Sequence, residues 1–398
     1  MGPMLGLVLS GGGARGAYEA GVLRYVYDEL APRLSVPLNF DVVSGTSIGA
    51  LNGAWIAALG GEGARHLSEF WRAITPDAVY HFRAVDLLRT PEKFLRRAGP
   101  IEKGAALFEP GPLYAYVHNL IPWSTLHERI DTGALNAFVV TVTDVVNGRT
   151  VHFADGNHPF HQSPSMVLRP TRIGPDHCLG SAAIPFIFPP VRVEGRFCVD
   201  GALRQNTPLA PAIHVGVDRV LVVGVKRLGS YDGRDTDGVA PSPAFLAGKA
   251  LNALMLDPVE EDIRRVDRLT ELLGWSERAF PGYLDRMRAE FRAYRPIASC
   301  HLRPSEDIGR LAASLFPLCE PELPWATRML LRGIAASENA EEADLMSYLL
   351  FHHRFTGALE ELGFRDAAHD AESLAALFEG RSTPLPAPSS AAAAALLR

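Results

Sequence analysis

The chain is expected to adopt an α/β fold with a mainly parallel central sheet, followed by a helical C-terminal region. Three features of the sequence lead there. Leu5–Leu9 is a short apolar run that ends at Ser10 and three glycines, so it reads as a buried strand entering a tight turn. Residues 14–30 then carry Tyr18, Val22, Tyr25, Val26 and Leu30 at helical spacing. Residues 40–43 and Ile48–Leu59 repeat that order of strand, turn and helix. Two such units in succession imply parallel strands joined by crossover helices.

Further along, residues 138–146 predict a strand, Asn147-Gly148 a hairpin turn, and residues 150–153 the returning strand. Residues 197–199 and 220–225 complete the strands. Residues 75–122 are irregular and rich in Pro and Gly. The pattern then divides the chain. Residues 1–228 form an α/β domain and 229–243, polar and Gly-rich, a linker. Residues 244–381 are helical: Leu246, Ala250, Ala253 and Leu254 share one face, and Ile263, Val266, Leu269 and Leu273 another. Residues 382–398 are a low-complexity tail, expected to be disordered.

Composition narrows the functional classes. The 398 residues carry 39 basic and 45 acidic side chains, a net charge of −6. No basic surplus marks a nucleic-acid binder. With 47% hydrophobic and 21% charged residues, the chain is an ordinary globular one. Cys178, Cys198, Cys300 and Cys319 are widely spaced and form no CxxC pair, which points to a reducing compartment and no structural zinc. The N-terminus lacks a charged leader region, so no signal peptide is expected. Ile48–Leu59 is too short to span a bilayer and contains Asn52. A cytoplasmic location follows, with room for peripheral membrane contact.

Two glycine-rich turns could carry chemistry. Gly11-Gly12-Gly13-Ala14-Arg15-Gly16 matches GxGxxG after the first strand. Its backbone could approach a pyrophosphate or the oxyanion of a tetrahedral intermediate, or it could be an unliganded turn. A dinucleotide site needs an acidic residue at the end of the second strand. Ser44 stands there, and Asp41 starts the strand.

Gly45-Thr46-Ser47-Ile48-Gly49 matches GxSxG between a strand and a helix, the setting of a nucleophile elbow; a helix N-cap is the plainer alternative. A serine nucleophile needs a base. His214 falls in a helix, and His301, His352, His353 and His369 follow no obvious strand end. Asp200, in Val199-Asp200-Gly201-Ala202, sits at a strand's C-terminal end, where open α/β sheets build sites, though turns also favour Asp. His152, His158 and His161 with Asp155 match no zinc spacing, so no metal is expected.

Four ordered blocks resemble the patatin-like phospholipases, a family of lipid acyl hydrolases. They are GGGARG at 11–16, GTSIGA at 45–50, SAAIPFIFPP at 181–190 and VDGALRQNTP at 199–208. Stretches of the C-terminal half, such as ADLMSYLLFHHRFTGALEELGFRDA at 343–367, are similar to a bacterial subgroup, with no chemistry to carry over. The resemblance implies a three-layer sandwich and a Ser–Asp dyad, with Ser47 as nucleophile and Asp200 as general base. Gly11, Gly12 and Gly13 would supply oxyanion amides, with Arg15 beside them. Gly16, Gly45, Gly49, Gly201 and Ala202 complete the motifs. It implies no cofactor, and a lipid or acyl ester substrate cleaved through an acyl-serine intermediate. An acyltransferase on the same dyad and a non-catalytic lipid-binding protein are the alternatives. An ordinary Asp, with pKa about 3.9, is a poor base for a hydroxyl, so Asp200 needs either partial desolvation or a hydrogen bond that strengthens as the oxyanion forms. In the segment 183–191 (AIPFIFPPV), Phe186, Ile187 and Phe188 carry more apolar surface than a short strand needs; the segment is either buried core or, in part, the lining of an acyl channel leading to Ser47.

Overall fold

The computed structural model describes residues 3–80, 109–157, 166–227, 259–290, 295–337 and 343–381. Among these, nine strands form one sheet. They are β1 (Leu5–Leu9), β2 (Val42–Thr46), β3 (Ala137–Asp144), β4 (Thr150–Gly156), β5 (Val167–Pro170), β6 (Val191–Val193), β7 (Arg196–Asp200), β8 (Arg219–Val223) and β9 (Ala298–Leu302). Their order is β5-β4-β3-β2-β1-β8-β9, with β7 on β3 and β6 on β7. β1 lies parallel to β2 and β8, as do β2 to β3, β4 to β5, and β8 to β9; β4 and β7 run antiparallel to β3.

Side chains alternate across a strand, and here both faces are apolar. Leu7 and Leu9 enter one core, while Val8 enters another with Val220 and Val222. The first core is closed by helices α1 (Ala17–Arg24), α2 (Ile48–Leu59), α3 (Gly61–Ala73) and α4 (Pro175–Ser181). The second is closed by α5 (Leu209–Val215) and by α6 (Val259–Ala279) through Ile263. The result is the expected three layers.

The strand expected at 40–43 begins two residues later, whereas α2 falls on its expected residues. The helix expected over 14–30 opens with a tight turn at Gly13–Gly16 and ends in wider π-type turns at Tyr25–Leu30. The linker at 229–243 and the tail at 382–398 lie outside the described residues.

The C-terminal region holds a strand that its sequence did not announce: β9 extends the sheet beside β8. Two further helices, α7 (Asp344–Leu349) and α8 (His353–His369), join the first core through Leu349, Phe355 and Leu359. Glu360 of α8 is fully buried. Arg24 of α1 and Arg72 of α3 each reach its carboxylate at 2.5 Å, and Ser68 donates to it at 2.7 Å. A buried charge needs such partners, so α8 is fastened to the helices beside the site.

Candidate active site

β2 ends at Thr46 and α2 begins at Ile48, so Ser47 alone makes the turn. It adopts φ 54° and ψ −125°, a left-handed conformation that costs a residue with a Cβ about 1–3 kcal/mol. The surroundings hold it there. Its N–H donates to Ser181 Oγ at 2.8 Å, and Ser181 Oγ–H donates to the Thr141 carbonyl at 2.6 Å. The elbow closes only with glycine at its flanks: a Cβ on Gly45 would stand 2.3 Å from the Gly49 carbonyl.

The register of β3 explains how Asp200 arrives. β2 pairs with β3 as far as Thr46 opposite Thr141. β3 continues for three residues, and β7 takes the edge that β2 vacates, with Asp200 opposite Val142. The carboxylate therefore lies just beyond the strand end from which Ser47 turns away. Ser47 Oγ–H donates to Asp200 Oδ2 at 2.6 Å, and the Ala202 N–H donates to Oδ1 at 2.8 Å. The backbone of Asp200 is pinned by the Ala183 carbonyl and the Thr143 hydroxyl.

Asp200 is fully buried. Burial pushes its pKa up to about 7, against the opposing effect of its bonds from Ser47 and Ala202. The desolvation is present, and it brings the carboxyl into the range where a general base works near neutral pH.

The glycine-rich turn lies across the same point. The Gly11 N–H, expected among the oxyanion donors, is committed to the Asn206 carbonyl at 3.0 Å, and among the described residues the Gly12 and Gly13 amides carry no such backbone bond. Gly13 has φ 55° and lines the cavity with Ser47. A Cβ there would stand 2.4 Å from the Tyr348 carbonyl of α7. Arg15 does not line the cavity. It is 3% exposed and its guanidinium enters the C-terminal region, with Nε donating to Ser347 Oγ at 2.8 Å. Gly16 follows, its carbonyl accepting from Asn52.

An apolar cavity opens from Ser47. Trp55, Phe70, Trp71, Phe188, Leu349 and Phe351 are among its walls. Asn52 adds little polarity: its amide nitrogen donates to Gly16 and Glu19, and its oxygen accepts from Trp71 Nε1. Of the segment 183–191, Phe188 and Ile184 face the cavity, Ile187 is buried elsewhere, and Phe186 is exposed with φ 68°. Sequence reasoning missed Ser181, whose block was noticed without a role, and Leu349 and Phe351, which lie within a stretch set aside as lacking chemistry.

The histidines stay outside the Ser47–Asp200 pair. His214 turns its Nδ1 to the Ala210 carbonyl of its own helix at 2.9 Å. His152 shares Nδ1 with Thr141 Oγ1, and burial lowers its pKa to about 4. Asp155 accepts from the Ile173 N–H, while His158 and His161 lie outside the described residues. Among the described residues, Glu322, His352 and His353 bring donor atoms close enough for a cation. Arg354 occupies that group: its guanidinium binds Glu322 Oε1 at 2.7 Å and its amide donates to His352 Nδ1, leaving the proton on the ring nitrogen that faces Glu322.

Lysophospholipase NTE1 of Cryptococcus neoformans, from two strains, is 24% identical over 234 residues, which are 59% of this chain and 12% of that protein. The chain thus corresponds to a small part of those relatives. VipD from Legionella pneumophila aligns over 93% of this chain and 67% of its own, with TM-score 0.39 and 13% identity. Human GIVD cytosolic phospholipase A2 aligns over 96% and 60%, with TM-score 0.36 and 13% identity. A family model described as patatin-like phospholipase matches residues 7–213, a span that holds the elbow, the glycine-rich turn and Asp200. That match covers more than half of the chain, and the protein belongs to the patatin-like phospholipase family.

Proposed function

We propose that the chain is a serine lipid acyl hydrolase of phospholipase A or esterase type, working through a Ser47–Asp200 dyad. The observation that carries this is the 2.6 Å hydrogen bond from Ser47 to a buried carboxylate at an apolar cavity. Asp200 takes the Ser47 proton as Oγ attacks the acyl carbonyl. The carbonyl oxygen becomes an oxyanion, held by the Gly12 and Gly13 amides. Collapse expels the alcohol part, which leaves with the proton from Asp200, and the acyl group stays on Ser47. Water then attacks this ester with Asp200 again as base, and the fatty acid departs. The cavity holds the acyl chain throughout.

No helix among the described residues is long and apolar enough to cross a membrane. Contact with lipid is therefore read as peripheral. The four free thiols support a reducing, cytoplasmic setting.

Hydrolysis of a medium-chain p-nitrophenyl ester tests the function. Wild type should turn over, Ser47→Ala should not, and both should melt alike. Product analysis with and without an added alcohol separates transfer to water from transfer to the alcohol. Equal turnover by both proteins overturns the proposal.

A further inference from the structure

The glycine-rich turn is short and its amides can serve an oxyanion only if held still. Its own sequence does little to fix it. The one long side chain in it, Arg15, is buried and leaves the turn for α7 of the C-terminal region. Nε donates to Ser347 Oγ at 2.8 Å; the terminal nitrogen donates to Asp344 Oδ1 at 3.0 Å and to the Asp344 carbonyl at 3.3 Å. The guanidinium carbon lies 4.2 Å from the centre of the Tyr348 ring. Ser347 Oγ–H in turn donates to the Asp344 carbonyl at 2.5 Å. The Tyr348 carbonyl stands where a Cβ on Gly13 would fall.

Resting on the dyad reading above, we propose that Arg15 is a positioning residue, and that α7 is the anvil against which it clamps the oxyanion turn through Asp344, Ser347 and Tyr348. Arg15 touches no substrate in this scheme. It sets where the Gly12 and Gly13 amides point, so it acts on the transition state and leaves acyl binding alone. A lysine keeps the charge but cannot reach Ser347 and Asp344 with one planar fork.

The test uses the full chain with Arg15→Lys and Ser347→Ala, the second as the milder change. Three quantities are compared with wild type: kcat and KM for a medium-chain ester, affinity for a trifluoromethyl ketone that forms a hemiketal with Ser47, and affinity for the free fatty acid. The clamp predicts a loss of tenfold or more in kcat in at least one folded variant. Ketone affinity should fall in proportion to kcat/KM, while KM and fatty-acid affinity stay within twofold. Unchanged kcat in folded Ser347→Ala and Arg15→Lys overturns the clamp. A parallel loss of fatty-acid affinity also overturns it, because α7 would then be only a pocket wall. Turnover that survives Ser47→Ala is a different failure, that of the dyad itself.

Discussion

Ser47 and Asp200 stand 153 residues apart in the chain, and their side chains meet at 2.6 Å. The meeting is a product of sheet register. β3 outruns β2 by three residues, and β7 fills the vacated edge with Asp200 beside the strand end from which Ser47 turns. Neither side chain has to reach.

In the proposed mechanism the pKa of Asp200 sets the pH dependence. Its carboxyl is pushed up to about 7 by burial and must be ionised to accept the Ser47 proton. The account predicts that kcat/KM rises tenfold per pH unit below about 7 and levels off above it. A flat profile from pH 5 to 8 contradicts it.

Asp200→Asn keeps the shape and removes the proposed base. Turnover should fall by about 10²–10⁴-fold. The same change should also remove a loss of stability that the wild type suffers as pH rises from about 4 to about 7. Burial pushes the folded carboxyl up to about 7 from the ordinary 3.8 that it keeps in the unfolded chain, so the unfolded chain loses its proton first. Stability of the wild type therefore declines as pH rises through that window, by about 1.4 kcal/mol per unit, and the asparagine variant escapes the decline. Melting curves at pH 5 and pH 8 check the sign: the advantage of the variant must grow with pH.

Ser181→Ala removes the acceptor for the Ser47 N–H and the donor to the Thr141 carbonyl, both buried. A destabilisation of about 1–3 kcal/mol is expected from the groups left unpaired. Because Ser47 then loses the bond that fixes its strained backbone, kcat should fall more than KM changes. A variant with wild-type kcat rules out this role for Ser181.

The cavity predicts chain-length preference. Each buried methylene adds up to about 0.8 kcal/mol, or about fourfold in the specificity constant while it still finds apolar wall. Across p-nitrophenyl esters from C2 to C12, kcat/KM should climb before it levels off, with little response to salt. A steady fall from C2 shows that the cavity does not hold the acyl chain.

Much of this site was legible in the sequence because its parts are local. The Gly45–Gly49 elbow and the Gly11–Gly16 turn are each one strand–helix junction, and α2 follows from a single apolar run. Asp200 was legible as a carboxylate at a strand end, but its depth and its raised pKa depend on packing from distant segments. The contribution of α7 was hidden for the same reason. Tyr348 backs Gly13, and Leu349 and Phe351 wall the cavity, across more than 300 residues of chain. β9 was missed because ASCHL is a short strand without clear alternation, and among the described residues it pairs on one side only.

The central claim is an acyl group carried on Ser47. Quenching the wild-type enzyme in acid during turnover of a slow ester, followed by peptide mass mapping, tests it most directly. The account predicts an acyl adduct on the peptide containing Ser47, absent from Ser47→Ala. An adduct on another residue, or free fatty acid released at full rate by Ser47→Ala, would contradict it.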